Sequence, residues 1–216
     1  MSVRILPSGE RAVLVECEGL ADVLGLHDAL TAAAIDGIVE LVPAARTLLV
    51  AIDPARLPLE SAVSHIRRAA RTDAAGATRT PARGTPATDT VVTVPVHYDG
   101  ADLDGLAAAL GASAEAIIDR HTAARWRVAF IGFAPGFAYL VSDDWPFDVP
   151  RLASPRTRVP TGAVGLAGGF SGVYPRESPG GWRLIGRTAL TLWDVTADPP
   201  ARLTPGTIVR FERSTA

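Results

Sequence analysis

Beyond Trp126 glycine or proline interrupts the chain every few residues, and only short apolar runs survive between the interruptions: residues 128–133, 164–167, 182–185, 189–193 and 207–211. Runs of this length bounded by turn residues predict strands, and their repetition predicts a β-barrel or sandwich rather than a helical fold. Just upstream, residues 91–96 predict a further strand. Pro95 within it points to an edge or a strand end, because it has no N–H to give to a ladder. Leu103, Leu106, Ala107 and Leu110 mark a short helix closed by Gly111, and Ser113 is placed to cap a second one. In that second helix His121 follows Ile117 and Ile118 at helical spacing and reads as half-buried.

The N-terminal part has a different rhythm. Strands are predicted at 3–6 and 12–16, a helix at 20–34, strands at 38–42 and 47–52, then a helix in which Leu59, Ala62, Val63, Ile66 and Ala70 keep the 3.6-residue period. That ββαββα order predicts a small sheet covered by helices. Residues 73–90 are rich in Pro, Gly and Thr and have no apolar periodicity, which is linker chemistry. The expected fold class is α+β: an N-terminal α+β domain at 1–72, a linker at 73–90 and a mostly β domain at 91–216.

Composition removes several kinds of chemistry. All 21 basic residues are Arg, and the chain has no Lys, Asn or Gln. Without lysine there is no Schiff-base catalysis and no Walker-type phosphate loop. Cys17 is the only cysteine, which excludes an intrachain disulfide, a cysteine zinc site and an iron–sulfur cluster. A formal net charge of −2 argues against a general nucleic-acid binder. No run approaches the ~18 apolar residues of a membrane span, and the N-terminus meets polar residues at once. The expectation is therefore a cytoplasmic protein with no membrane or nucleic-acid partner. His27, His65, His97 and His121 show no metal-ligand spacing among themselves, so no metal ligand is assigned.

Charge is unevenly spread. Residues 149–193 hold six arginines (Arg151, Arg156, Arg158, Arg176, Arg183 and Arg187) against one acid, Glu177, so this segment is +5 and the remainder −7. Such crowding is relieved by an anion. In an extended segment Arg156 and Arg158 share a face with Cα atoms about 7 Å apart, a spacing that suits two guanidinium forks on a phosphate or carboxylate. A solvated basic edge strand explains the same pattern, and the local sequence leaves both readings open. In residues 131–140 the aromatics Phe133, Phe137 and Tyr139 suit either a pocket wall or a barrel core. The core reading is favoured for Phe133 and Phe137, and Tyr139 is left open because its hydroxyl needs a partner. The glycines of 165–172 read as turn glycines. Glu177 beside Ser178, on a loop stiffened by Pro175 and Pro179, suits orienting, metal or base work; equally, it neutralises Arg176 or Arg187.

Taken together, Ile131-Gly-Phe-Ala-Pro-Gly-Phe-Ala-Tyr-Leu140, Pro155-Arg-Thr-Arg-Val-Pro160, Tyr174-Pro-Arg-Glu-Ser-Pro-Gly-Gly-Trp182 and Ile185-Gly-Arg-Thr188 resemble the 5-oxoprolinase B-subunit family. That family has also been labelled allophanate hydrolase subunit 1 and sporulation kinase inhibitor. Residues 43–50, 119–121 and 205–211 fit it too, so the likeness covers the chain apart from the linker. The resemblance implies a cyclophilin-like β-barrel at 91–216 behind a small α+β domain. It implies a non-autonomous subunit that works with a second barrel subunit, of the 5-oxoprolinase C-subunit or allophanate hydrolase subunit 2 type, and with a third, hydrolase-like subunit. Together they would open 5-oxo-L-proline to L-glutamate with hydrolysis of ATP, accompanied by Mg2+; the isolated chain is expected to be inactive. On that basis the candidate catalytic residues are Glu177, Ser178 and Arg187. The candidate ligand-binding residues are Arg156, Arg158, Phe137, Tyr139, Tyr174, Gly180 and Gly181. Two alternatives follow from the family's other labels: a sensor-kinase-inhibiting interaction module, and half of a urea carboxylase-type or allophanate hydrolase-type carboxyltransferase. Ala134, Ala138 and Phe170 depart from the family pattern, Phe170 standing where a glutamine is frequent.

Overall fold

The computed structural model describes residues 2–75 and 90–214, and the chain divides into two compact units, Met1–Pro86 and Ala87–Ala216. In the first unit the elements are β1 (Arg4–Pro7), β2 (Ala12–Glu16), α1 (Leu20–Ala33), β3 (Ile38–Pro43), β4 (Thr47–Ile52) and α2 (Leu59–Ala75). The strands form one antiparallel sheet in the order β1-β2-β4-β3. Alternation along β2 and β4 sends Val13, Val15, Leu48, Val50 and Ile52 to one face. There they pack on Val23, Leu26 and Leu30 of α1 and on Ala62, Ile66 and Ala70 of α2. The predicted ββαββα order is the observed one. Helix α2 runs three residues past the boundary placed at 72, because Asp73, Ala74 and Ala75 contain no helix breaker. Of the rest of the proposed linker, residues 76–89 lie outside the described residues.

The second unit contains β5 (Val91–Val96), α3 (Leu103–Ala109), α4 (Ala114–Ala123), β6 (Trp126–Ile131), β7 (Ala138–Val141), β8 (Arg156–Val159), β9 (Ala163–Ala167), β10 (Phe170–Val173), β11 (Ser178–Gly180), β12 (Arg183–Arg187) and β13 (Ile208–Arg213). Seven of its strands form a sheet in the order β12-β9-β10-β7-β6-β13-β5, antiparallel except for the β13–β5 pair. Strands β8 and β11 pair separately. Pro95 lies on β5 at one end of the seven-strand order, where a missing N–H is tolerated.

The two end strands then meet. His97 and Arg187 exchange both backbone hydrogen bonds, at 2.8 and 2.9 Å. The Gly100 and Asp102 amides donate to the Ile185 and Leu184 carbonyls at 3.2 and 3.0 Å. The sheet is thereby nearly closed into a barrel, with the seam between β12 and the segment that follows β5. The approach is close enough to require glycine on both sides: a Cβ on Gly100 would run into the Leu184 and Ile185 carbonyl groups, and one on Gly186 would lie 2.6 Å from the His97 oxygen. Trp126, Leu140, Leu166, Ile185 and Phe211 form a core with Leu106 of α3 and Ile117 of α4.

Two parts of the strand pattern come out differently. Residues 189–193 form no strand, only an isolated bridge from Trp193 to Ala201. The glycine-dense run is a β-hairpin: Gly168 and Gly169 make its turn, while Gly165 and Gly172 face each other inside β9 and β10. There the missing side chains admit aromatic rings, since a Cβ on Gly172 would sit 3.1 Å from both Phe137 and Trp182. No helix among the described residues is long and apolar enough to cross a membrane.

Candidate functional site

The room left by those glycines is filled by one aromatic cluster. Phe137, Tyr174 and Trp182 are buried, and Tyr139 and Phe170 are partly buried beside them. The Phe137 ring centroid lies 5.1 Å from Tyr139, 5.1 Å from Tyr174 and 5.3 Å from Trp182, all edge to face. The Tyr174 hydroxyl rests against Gly180, where a Cβ would displace it. The buried Gly181 accepts the Leu152 amide through its carbonyl at 2.8 Å. Five predicted ligand residues (Phe137, Tyr139, Tyr174, Gly180 and Gly181) thus belong to one neighbourhood, and Trp182 is a further member that is not among the predicted site residues. Burial pushes both the Tyr139 and Tyr174 hydroxyls up from the ordinary tyrosine range, against the opposing pull of Arg151. Both are therefore neutral hydrogen-bond donors at physiological pH, and Arg151 is the cation they share.

Arg156 joins the cluster from β8, opposite Gly180 across the β8–β11 pair. It is held by a carboxylate that no local pattern indicates. Asp102 is buried, accepts Arg156 Nη2 on Oδ1 at 2.7 Å and accepts the Leu184 amide on Oδ2 at 2.7 Å. Burial pushes the Asp102 carboxyl up, but the Arg156 and Leu184 hydrogen bonds and the charges of Arg156 and Arg183 outweigh it and hold it below the usual carboxylate range. Arg156 Nη1 is buried, and among the described residues nothing accepts from it. A fixed guanidinium with a donor to spare, close to the neutral Tyr174 phenol, is an arrangement for recognising a carboxylate or a polarised carbonyl.

The remaining predicted cations are divided among other acids. Arg158, on the same strand, binds Glu177 through Nε at 2.6 Å on the exposed side. Arg187 binds Asp99 through Nε at 2.8 Å at the barrel seam. The two-fork clamp of Arg156 and Arg158 on a single anion is thus replaced by two separate ion pairs. Glu177 neutralises Arg158, rather than Arg176 or Arg187. Ser178 makes one long contact, 3.4 Å to the Arg176 carbonyl. The positive excess of 149–193 is met in part by Asp99 and Asp102, which come from the loop after β5, outside that window.

Phe133 overturns the core reading: it is 58% exposed. The Ala134 amide reaches back to the Gly132 carbonyl at 2.7 Å and closes a tight γ-turn centred on Phe133, whose φ is +68°. A bulky residue in that region costs about 1–2 kcal/mol. Its ring nevertheless stands edge-on to Phe137, at 5.4 Å, and to Tyr174, at 6.3 Å. Phe133→Gly is expected to leave the thermal midpoint unchanged or raise it by a few degrees, because strain is relieved and little buried surface is lost. A fall of more than about 5 °C in a thermal melt would instead make the ring a structural member of the cluster.

The nearly closed barrel with its flanking helices is an architecture shared with solved structures. Kluyveromyces lactis urea amidolyase superposes on 99% of this chain, and on 15% of its own, with a TM-score of 0.76 and 19% identity, a likeness of fold. The chain belongs to the family described as carboxyltransferase domain, subdomain C and D, which residues 3–203 match. A conserved uncharacterized protein from Pyrococcus horikoshii is 35% identical over 98% of this chain and 97% of its own, with a TM-score of 0.56. Proteins named as the B-subunit of 5-oxoprolinase are also similar. The one from Escherichia coli O157:H7 is 46% identical over 123 residues, 56% of this chain and 56% of that protein. The one from Bacillus subtilis (strain 168) is 44% identical over 126 residues, 57% of this chain and 52% of that protein. The chain spans about half the length of these curated relatives.

Proposed function

We propose that this chain is a subunit of an ATP-dependent 5-oxoprolinase, contributing part of the site at which 5-oxo-L-proline is opened to L-glutamate. The similarity to proteins named as 5-oxoprolinase B-subunits carries the reading, and the Arg156–tyrosine site is chemically suited to it. A lactam carbonyl is a poor electrophile. Transfer of the ATP γ-phosphoryl group to the lactam oxygen, with departure of ADP, makes the carbon open to water. Addition of water and cleavage of the C–N bond, with a proton to the nitrogen, leaves an acyl phosphate that a second water hydrolyses to glutamate and phosphate. In this scheme Arg156 holds a negatively charged oxygen of substrate, oriented by Asp102, and the Tyr139 and Tyr174 hydroxyls donate to the oxygen on which charge develops. Arg151 offsets that charge.

Magnesium would travel with the nucleotide. Among the described residues no three His, Cys, Asp or Glu side chains gather to hold an ion, so no step is assigned to a metal bound by this chain. The second barrel subunit and the hydrolase-like subunit supply what this chain lacks. Co-expression of the three subunits is expected to yield glutamate from 5-oxoproline only with ATP, and this chain by itself to yield none. Robust ATP-dependent turnover by the isolated chain would refute the division of labour. The family description favours one alternative, half of a urea carboxylase-type carboxyltransferase. ATP- and bicarbonate-dependent carboxylation of urea by this chain with a biotin carboxylase partner, and no lactam opening, would replace the first reading with that one.

A further inference from the structure

The barrel seam carries a second feature, which the lactam scheme does not use. A cleft of about 260 Å3 opens there, lined by Pro95, His97, Thr161, Arg187, Thr188 and Ser214. Four stretches of chain converge on it: the end of β5, the turn before β9, the end of β12 and the end of β13. Their mutual positions are fixed by backbone bonds. His97 and Arg187 exchange both amide bonds, and the Thr188 amide donates to the Gly162 carbonyl at 2.8 Å. Asp99 takes the Arg187 Nε at 2.8 Å, which sets the plane of the guanidinium. Among the described residues nothing accepts from Nη1 or Nη2 of Arg187, and the Thr161 hydroxyl has no partner.

We propose that this cleft binds a phosphate group, with the Arg187 Nη groups and the Thr161 hydroxyl as donors and His97 closing one side. A tetrahedral dianion accepts from several directions at once, which suits donors arriving from separate segments; a planar carboxylate needs only the guanidinium fork. The volume holds one phosphate with water, or a short phosphate chain. Arg187 and Asp102's partner Leu184 lie three residues apart on β12, about 10 Å along the strand, so the phosphate would sit beyond bonding reach of the Arg156 guanidinium's own carboxylate pair. Phosphate binding at this cleft does not depend on lactam opening.

Calorimetric titration of the full chain with inorganic phosphate, in chloride at constant low ionic strength, tests it. Saturable binding is expected, weakened at least about tenfold by Arg187→Gln and by a smaller factor in Thr161→Val, which keeps shape and charge. Arg4→Gln, a charge-matched change in the other unit, should bind as the parent does. If ADP competes with phosphate, the occupant is the phosphoryl end of a nucleotide; if it does not, the site takes free phosphate, and either result supports the assignment. The assignment is overturned if binding is absent up to about 20 mM, or if Arg187→Gln and Arg4→Gln weaken it equally. Should Arg187→Gln fail to fold, unchanged affinity in Thr161→Val overturns it by itself.

Discussion

A single added methyl group at Gly100 is expected to lower the stability of the C-terminal unit by about 3 kcal/mol or more, a fall of roughly 10 °C in its melting point. Gly100 does not occupy the left-handed region, so alanine fits its backbone conformation and the penalty is steric alone. The new Cβ would meet the Leu184 and Ile185 carbonyl groups and, at 2.5 Å, the Gly186 nitrogen. All of these are β12 backbone, which cannot rotate aside as a side chain does. Relief requires the seam to part. That lengthens the Gly100–Ile185 and Asp102–Leu184 hydrogen bonds and draws Asp102 away from the Leu184 amide and Arg156. Under the proposed function, activity of the reconstituted subunits should therefore fall together with stability. Gly105→Ala is the control: it lies in α3 with open space around it and should be neutral or stabilising by up to about 1 kcal/mol. Equal melting temperatures for the two variants would show that the seam does not close the barrel.

The second large effect is expected in acid. His121 is fully buried among Trp126, Trp145 and Phe211, its ring centroid 4.2 Å from that of Phe211. Its Nδ1 meets the Tyr98 hydroxyl and its Nε2 the Ser171 hydroxyl, each at 2.8 Å. Burial pushes the imidazole down from 6.5 to about 3. Above pH 6.5 the ring is neutral in both the folded and the unfolded chain. Below it only the unfolded chain takes up the proton, so stability falls by about 1.4 kcal/mol per pH unit until the folded value is approached. Between pH 6 and pH 4 this amounts to about 2.5 kcal/mol. Asp102 adds its own loss at lower pH still, because its carboxyl is held below the usual range and its pairing disappears only as it protonates. His121→Ala is expected to cost about 3–5 kcal/mol at neutral pH, from the cavity and two unpaired buried hydroxyls, and to remove the pH dependence above pH 4. Denaturant unfolding across pH 4 to 7 distinguishes the outcomes; an unchanged slope in the variant would assign the acid sensitivity to other groups.

The half-buried reading of His121 shows where local pattern runs out. Helical spacing after Ile117 and Ile118 places it on the inward face of α4, as observed. That Tyr98 and Ser171 receive its two nitrogens depends on segments 23 residues before and 50 residues after it. Phe133 is the opposite case. Its neighbours on both sides are apolar and it ends a strand-like run, yet a one-residue turn lifts it out of β6 and exposes the ring. The aromatic cluster itself is within reach of the sequence, because Phe137, Tyr139, Tyr174 and Trp182 all sit in short motifs punctuated by glycine. Trp182 carries the same signal at the end of its motif.

The arginine excess in 149–193 marks the residues that matter electrostatically, but not their partners. Asp102 is 54 residues from Arg156 and Asp99 is 88 from Arg187. From its sequence alone, this protein is a two-part α+β chain whose second part is built of short strands, because strand and helix periods act between near neighbours and leave their mark on every few residues. Tertiary structure decided which cation faces which acid, and which donors are left over for a ligand. The reason is that closing the barrel brings the loop after β5 against β12. Electrostatic energy depends on that distance in space, to which separation along the chain gives no guide.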